Sequence, residues 1–237
     1  MRVDRYFYSG AGVIFLALML VGFHSFYLHG RGFGERPINP SIIRLDAIHG
    51  AAIALWFVLF LAQSLLIATR NRKVHMTLGW SVVVLAPAIA VLGTMVAYES
   101  VMLAPDFVFF DMRYSNFLLT MFTEMLMFSV LVTAGVLTRK KPRVHRTMML
   151  MTSFTLIPGA LARNTLAASV FGQSHWMGLF APTLVLAGLL LAIRCAMTRT
   201  FDRRFAASWA LLSIVFISST YLAETAMWGR MAAMILR

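Results

Sequence analysis

AIHGAAIALWFVLFLAQSLLIA, residues 47–68, followed at once by TRNRKVH, residues 69–75, decides the fold. Twenty-two residues without a formal charge are enough to cross roughly 30 Å of hydrocarbon at about 1.5 Å per residue in a helix. The basic run that ends them is what a span meets at a headgroup surface. A soluble helix of this length keeps a charged face; here the polar side chains within the block are His49, Trp56, Gln63 and Ser64. Lipid is the expected solvent for this segment.

Working outward, the same alternation repeats along the chain. Of 237 residues, 60% are hydrophobic and 13% charged, more apolar surface than a soluble domain hides. Apolar blocks place spans near 6–28, 47–68, 77–98, 115–138, 147–168, 176–196 and 205–224. The expectation is an all-α polytopic membrane helix bundle of about seven transmembrane helices, with residues 1–237 forming a single transmembrane domain. The first block follows Arg2 and Arg5 like a signal sequence but lacks a small-residue cleavage site, so it reads as a retained span. The formal charge of +12 sits in short loops between spans. Its expected neighbours are anionic lipid headgroups, not nucleic acid. Cys195, the single cysteine, excludes an internal disulfide and any Cys-only metal or iron–sulfur site.

The loops also set an orientation. Arg2 and Arg5, then Arg70, Arg72 and Lys73, then Arg139, Lys140, Lys141, Arg143 and Arg146, then Arg194, Arg199, Arg203 and Arg204 fall on one side, fourteen of the 21 basic residues. The positive-inside rule makes that side cytoplasmic, with the N-terminus inside and the C-terminus periplasmic in a bacterial inner membrane. Three of these loops align: Thr69-Arg-Asn-Arg-Lys-Val-His75, Thr138-Arg-Lys-Lys-Pro-Arg-Val-His145 and, more loosely, Thr198-Arg-Thr-Phe-Asp-Arg-Arg-Phe205. The alignment reads as three repeated helical hairpins with helix 1 added, or as the common look of short cytoplasmic loops.

Candidate chemistry is sparse. Glu124 falls about ten residues, or about 15 Å, into its span, near the bilayer centre, where a carboxyl is costly and serves as a hydrogen-bond donor to a carbonyl or as a proton relay. Arg163, after the Pro158-Gly159 break, either snorkels outward or reaches towards Glu124. His75 and His145 occupy equivalent places in the aligned loops, and neutral imidazoles on neighbouring helices can ligate one haem iron from both axial positions. On the other side His24, His29, His49, Glu99, Asp111 and Glu224 lie near span ends, with His49 and His24 the best candidates for a zinc-type site, although no two stand four residues apart. His175 reads as a loop residue beside Trp176, without a task. The 17 methionines read as adaptable packing, and Pro87 and Pro182 as kinks within the third and sixth spans.

Taken together, Gly22, Phe23, Phe26 and Tyr27, then His49-Gly50 with Trp56 and Gln63, then His75-x-x-x-Gly79-Trp80, then Val144-His145-Arg146 resemble a group of uncharacterised bacterial multi-pass membrane proteins over residues 1–165. That resemblance implies a fold and a location and no reaction. The chain is more faintly similar to cytochrome b561-type proteins, whose helical cores hold two haems by four histidines and pass electrons from ascorbate or quinol-like donors. His49, His75 and His145 match three of the four; the fourth helix has no histidine between Phe117 and Met121. The similarity therefore implies at most one haem b, with His75 and His145 as its axial pair. Its attachment is noncovalent, since no C-x-x-C-H motif exists.

Three functions compete: a haem b and quinone-type redox membrane protein with Glu124 handling protons, a proton-coupled small-solute transporter, and a noncatalytic accessory subunit or assembly factor of a membrane complex. The last implies membrane-protein partners or a homo-oligomer.

Overall fold

Long apolar helices dominate the architecture. The structure, a computed structural model, describes residues 2–33, 38–172 and 174–236. The chain is helical almost throughout: α1 Arg2–Gly22, α2 His24–His29, α3 Ile43–Ala68, α4 Arg72–Gly79, α5 Val82–Leu103, α6 Tyr114–Leu137, α7 Pro142–Leu156, α8 Pro158–Ala162, α9 Thr165–Phe171, α10 His175–Leu179, α11 Ala181–Thr198, α12 Arg203–Ala223 and α13 Ala226–Ile235. A two-residue antiparallel pair, β1 Val108–Phe109 with β2 Met112–Arg113, joins α5 to α6.

Five of these helices, α3, α5, α6, α11 and α12, are long and apolar enough to cross a membrane. The protein is a multi-pass membrane helix bundle. Between a quarter and a half of each span's apolar window is buried inside the bundle, which leaves the rest for lipid: Leu55, Val84, Leu126 and Ile214 are among the exposed apolar side chains.

Elsewhere the expected spans are broken, each for a local reason. The first bends at Phe23, between α1 and α2, and ends where Gly30 takes a left-handed conformation. In place of a span from 77, residues 72–79 form the separate short helix α4, capped by the Asn71 side chain, and the span proper starts at Val82. The expected span 147–168 is divided between α7, α8 and α9 because Pro158 cannot continue the hydrogen-bond ladder from α7. Pro182 does not kink α11 but opens it, in the first turn, where a proline's missing N–H costs nothing.

Two close approaches lock α1 into the bundle. At Gly12 a Cβ would come within 3.1 Å of the α3 backbone at Leu61. At Gly22 it would collide with the Ala160 carbonyl and lie 2.7 Å from the Ala160 Cα, so α1 and α8 cross backbone against backbone. The interior between them is aromatic: Phe15 stacks on Phe57 and meets Phe154 edge-on at 4.9 Å.

One end of the bundle gathers the start of α1, the turn from α3 to α4, the turn from α6 to α7 and the turn from α11 to α12. There the Arg194 guanidinium lies 5.2 Å over both Phe7 and Tyr8, and Arg146 lies 5.6 Å over Tyr8. Arg194 is 5% exposed, and its Nε donates to Asp202 at 2.6 Å. Asp202 in turn caps α12 by accepting from the Phe205 N–H. Burial works to raise the Asp202 carboxyl, but the Arg194 hydrogen bond and charge, with the backbone N–H groups of Phe205 and Arg204, outweigh it and hold the pKa below the usual carboxylate range. The three aligned threonines close the preceding helices alike: the hydroxyls of Thr69, Thr138 and Thr198 donate to the carbonyls of Leu65, Ala134 and Arg194, four residues back.

Two outcomes are expected. Gly22→Val lowers the thermal midpoint in detergent, by roughly 1–3 kcal/mol of overpacking, whereas Gly10→Val, into open space, leaves it unchanged. Asp202→Asn lowers stability at neutral pH by about 1–3 kcal/mol, through loss of the carboxylate charge that meets the buried Arg194 guanidinium. Since the folded carboxyl titrates below its unfolded value of about 3.9, the pair's contribution is present above that value and lost as pH falls through the lower one. Midpoints of the two proteins measured against pH therefore converge only below about pH 4.

Candidate functional site

The two histidines of the aligned loops meet. His75 stands on α4 and His145 on α7, with ring centroids 6.4 Å apart and planes at 88°. Both rings are held alike: His75 Nδ1–H donates to the Gln63 carbonyl at 3.3 Å and His145 Nδ1–H to the Gly135 carbonyl at 2.8 Å. Each bond reaches back to the helix before the turn, α3 in one case and α6 in the other. A ring tied through Nδ1 to a carbonyl presents a neutral Nε2 lone pair, which is how proteins orient imidazole ligands. Among the described residues neither Nε2 has a hydrogen-bond partner. Burial pushes the His75 pKa down, and the nearby His145 and Arg72 act in the same direction against the Gln63 carbonyl. The ring is thus kept in the form that ligates metal.

At the other end the candidates separate. Arg163 does not reach Glu124. Its Nη1 donates to the Gly159 carbonyl at 2.7 Å, and its guanidinium lies 4.6 Å over Phe23 and 5.7 Å over Phe33. Tyr114, whose hydroxyl donates to Ser100 Oγ at 3.0 Å, and Asp46 stand within electrostatic reach of it. His24 is engaged locally, its Nδ1–H donating to Val21 O at 2.7 Å and its Nε2 accepting from Ser25 Oγ. His49 instead packs in the interior, where its Cε1 would lie 2.9 Å from a Cβ on Gly93, a position that the Met125 sulfur also closes. Among the described residues no three of His, Cys, Asp and Glu gather into a metal-binding group. His175 has a partner that sequence reading missed, a 2.7 Å contact from its Nε2 to Glu224.

Glu124 lies on the α6 stripe that includes Phe117, Phe128, Leu131 and Gly135. This stripe faces the bundle: Phe128 meets Trp56 of α3 edge-on at 4.9 Å, and Gly135 packs on Met149 of α7. The depth of Glu124 follows from its neighbours. Glu124 lies four residues, about 6 Å, before Phe128, which stands against Trp56. No ion-pair or hydrogen-bond partner stands at its carboxyl among the described residues.

A feature that sequence reading left unassigned lies along α3. Among the described residues His49 Nδ1, Trp56 Nε1 and Gln63 Oε1 are buried without a hydrogen-bond partner, as are the hydroxyls of Ser9, Ser153 and Thr183. The three on α3 recur every seven residues.

No protein-family model, curated protein or solved structure matches this chain.

The unpartnered state of Glu124 has a measurable consequence. Glu124→Leu should raise thermal stability by about 1 kcal/mol, since it removes a half-buried carboxyl left without a bond. Arg163→Met should lower it by a similar amount, through loss of the Gly159 hydrogen bond and the ring contacts. Destabilisation by Glu124→Leu, measured by thermal unfolding in detergent, would show that the carboxyl holds the helices together.

Proposed function

We propose that this protein is a redox carrier of the haem b and quinone type, with His75 and His145 as the axial ligands of one noncovalently bound haem. The single observation that carries the reading is the spacing of the pair. With metal–nitrogen bonds of about 2.0 Å and roughly another ångström from each nitrogen to its ring centre, two imidazoles bound on opposite sides of one ion have centroids about 6 Å apart. The observed value is 6.4 Å. Ligands at a tetrahedral angle would bring the centroids closer together. The free Nε2 atoms and the carbonyl-anchored Nδ1 atoms fit the same role.

Haem held there supplies a one-electron couple. The chain's own contribution is to fix both rings from the preceding helices, to keep His75 neutral by burial, and to surround the pair with Arg70, Arg72, Lys73, Arg139, Lys140 and Lys141, cations suited to carboxylates. The cation-rich end and the resemblance of the histidine set to cytochrome b561-type proteins support the reading together.

The bundle is read as seven crossings, α1 and the α7–α8 pair joining the five span-length helices. Three hairpins, each closed by a threonine and a basic turn, follow helix 1. By the distribution of basic residues the histidine end faces the cytoplasm and the C-terminus the periplasm of a bacterial inner membrane, with anionic lipid against the basic turns.

An absorption spectrum of detergent-purified protein from haem-sufficient cells, oxidised and dithionite-reduced, tests the proposal. A Soret band that His75→Ala or His145→Ala abolishes, with the protein still monodisperse, is the expected result. A colourless wild type would overturn it.

A further inference from the structure

The two histidines of the pair are carried by elements of very different kinds. α7, which bears His145, is embedded: it packs on α6, α12, α3 and α8, and Thr147 and every residue from Leu150 to Leu156 are buried. α4, which bears His75, has no buried residue. Arg72, Lys73, Val74, Met76, Thr77 and Leu78 are all exposed, and His75 and Gly79 are half-buried against α3. Its eight residues fall short of the roughly 12–15 that a helix needs to persist on its own hydrogen bonds.

Both ends of α4 are joints. Arg70, just before it, takes a left-handed conformation with φ 66°, which L side chains disfavour. The N-terminal cap is one long bond, the Val74 N–H donating to Asn71 Oδ1 at 3.4 Å. At the far end the ladder changes pitch: the N–H groups of Trp80 and Ser81 donate to the carbonyls of Thr77 and Leu78, three residues back, at 3.3 and 3.1 Å, and that of Val83 to Trp80. Such a stretch between two helices is where a chain bends. The tie from the His75 ring to the bundle is also the longer of the two, 3.3 Å from Nδ1 to the Gln63 carbonyl against 2.8 Å from His145 to Gly135.

Few buried apolar contacts, exposed backbone hydrogen bonds and a loose tether define a segment that opens by itself, far more readily than the bundle unfolds. The segment also has a place to lie when it leaves α3. Trp80 is 71% exposed, and an exposed indole beside Arg72 and Lys73 suits the headgroup layer.

We propose that α4 is a hinged arm, pivoting at Arg70–Asn71 and at Trp80–Ser81, that withdraws His75 from His145 while α7 keeps His145 in place. The arm belongs to the chain with or without a cofactor. One consequence rests on the haem reading above: His75 is then the exchangeable ligand and His145 the permanent one. His75 gives up its bond to the iron through Nε2, and a small neutral ligand such as carbon monoxide brings its own electron pair to the vacated position, with no change of oxidation state.

Hydrogen–deuterium exchange of the protein in lipid nanodiscs, resolved to single amides, compares residues 76–79 with residues 146–149, the equivalent positions after the two histidines. The α4 amides are expected to take up deuterium faster by roughly tenfold or more. Asn71→Ala should speed them about fivefold further, as loss of a typical helix cap does, and leave α7 unchanged. Equal protection of the two sets would overturn the arm, whether or not the protein is coloured. Where the purified protein carries haem, rapid mixing of its dithionite-reduced form with carbon monoxide tests the release of His75. The binding rate is expected to level off as carbon monoxide is raised, because departure of His75 limits it, and Asn71→Ala to lift that plateau by about the same factor. No uptake, or a plateau that Asn71→Ala leaves in place, would overturn the assignment of His75 as the exchangeable ligand. A colourless protein would overturn the haem reading and with it that assignment, while deuterium uptake still decides the arm.

Discussion

Hydrocarbon offers no hydrogen bonds, so every polar group that enters it must find a partner within the chain. The backbone meets this by forming helix nearly throughout, and most hydroxyls meet it by turning back onto the carbonyl of the previous turn, as Thr94, Thr123 and Ser213 do. Indoles follow the same constraint across helices: Trp209 donates to the Leu184 carbonyl and Trp228 to the Asn116 carbonyl. That second bond draws α13 against α6, so the apolar tail packs on the bundle. Arg194, buried in the bundle, is tolerated because Asp202 meets it and two aromatic rings cover it.

The same constraint explains which spans could be read from composition. Residues 47–68 and 115–138 are uninterrupted apolar blocks, and helices lie at Ile43–Ala68 and Tyr114–Leu137. The block expected at 77–98 begins late, because Asn71 caps a short helix that ends at Gly79. Composition averages over such a boundary, whereas the cap decides it. The block at 147–168 holds Thr152, Ser153, Thr155 and Pro158 in its middle; it reads as apolar only in bulk, and the proline divides it. Loop alignment was the better guide at the histidines. Two turns of related sequence close two neighbouring hairpins, and equivalent residues then arrive at equivalent heights.

What composition could not show was rotation about a helix axis. Glu124 and Arg163 are both ionisable residues in apolar sequence, and residue type alone leaves open whether Arg163 snorkels outward or reaches Glu124. Arg163 instead stays at its own end among Gly159, Phe23 and Phe33, while Glu124 lies deeper, on the stripe of α6 that contains Phe128. His24 and His49 separate for a similar reason. His24 starts a short helix and bonds within it, whereas His49 enters the bundle on α3. The seven-residue repeat of His49, Trp56 and Gln63 was visible in the letters, but whether that stripe met lipid or protein depended on α1, α5 and α6 surrounding α3.

The two ends of the bundle are held by different forces, and α3 is the element that joins them. At the basic end, cations stack on aromatic rings and close an ion pair, contacts that tolerate water and bring three turns and the start of α1 together around the histidine pair. At the other end Arg163 and its aromatic neighbours close the bundle around Asp46 and Tyr114. Leucine or phenylalanine at positions 49, 56 and 63 would fill the space between these ends without leaving a polar atom unmet. Three unmet polar atoms at about 1–3 kcal/mol each are a large burden for a fold whose whole stability is of the order of 5–15 kcal/mol. Most buried hydroxyls turn back onto their own helix, but those of Ser9, Ser153 and Thr183 are unmet as well, so what sets the α3 atoms apart is their alignment along one face of one helix. That line runs from the charged cluster at one end to the carbonyl that orients His75 at the other.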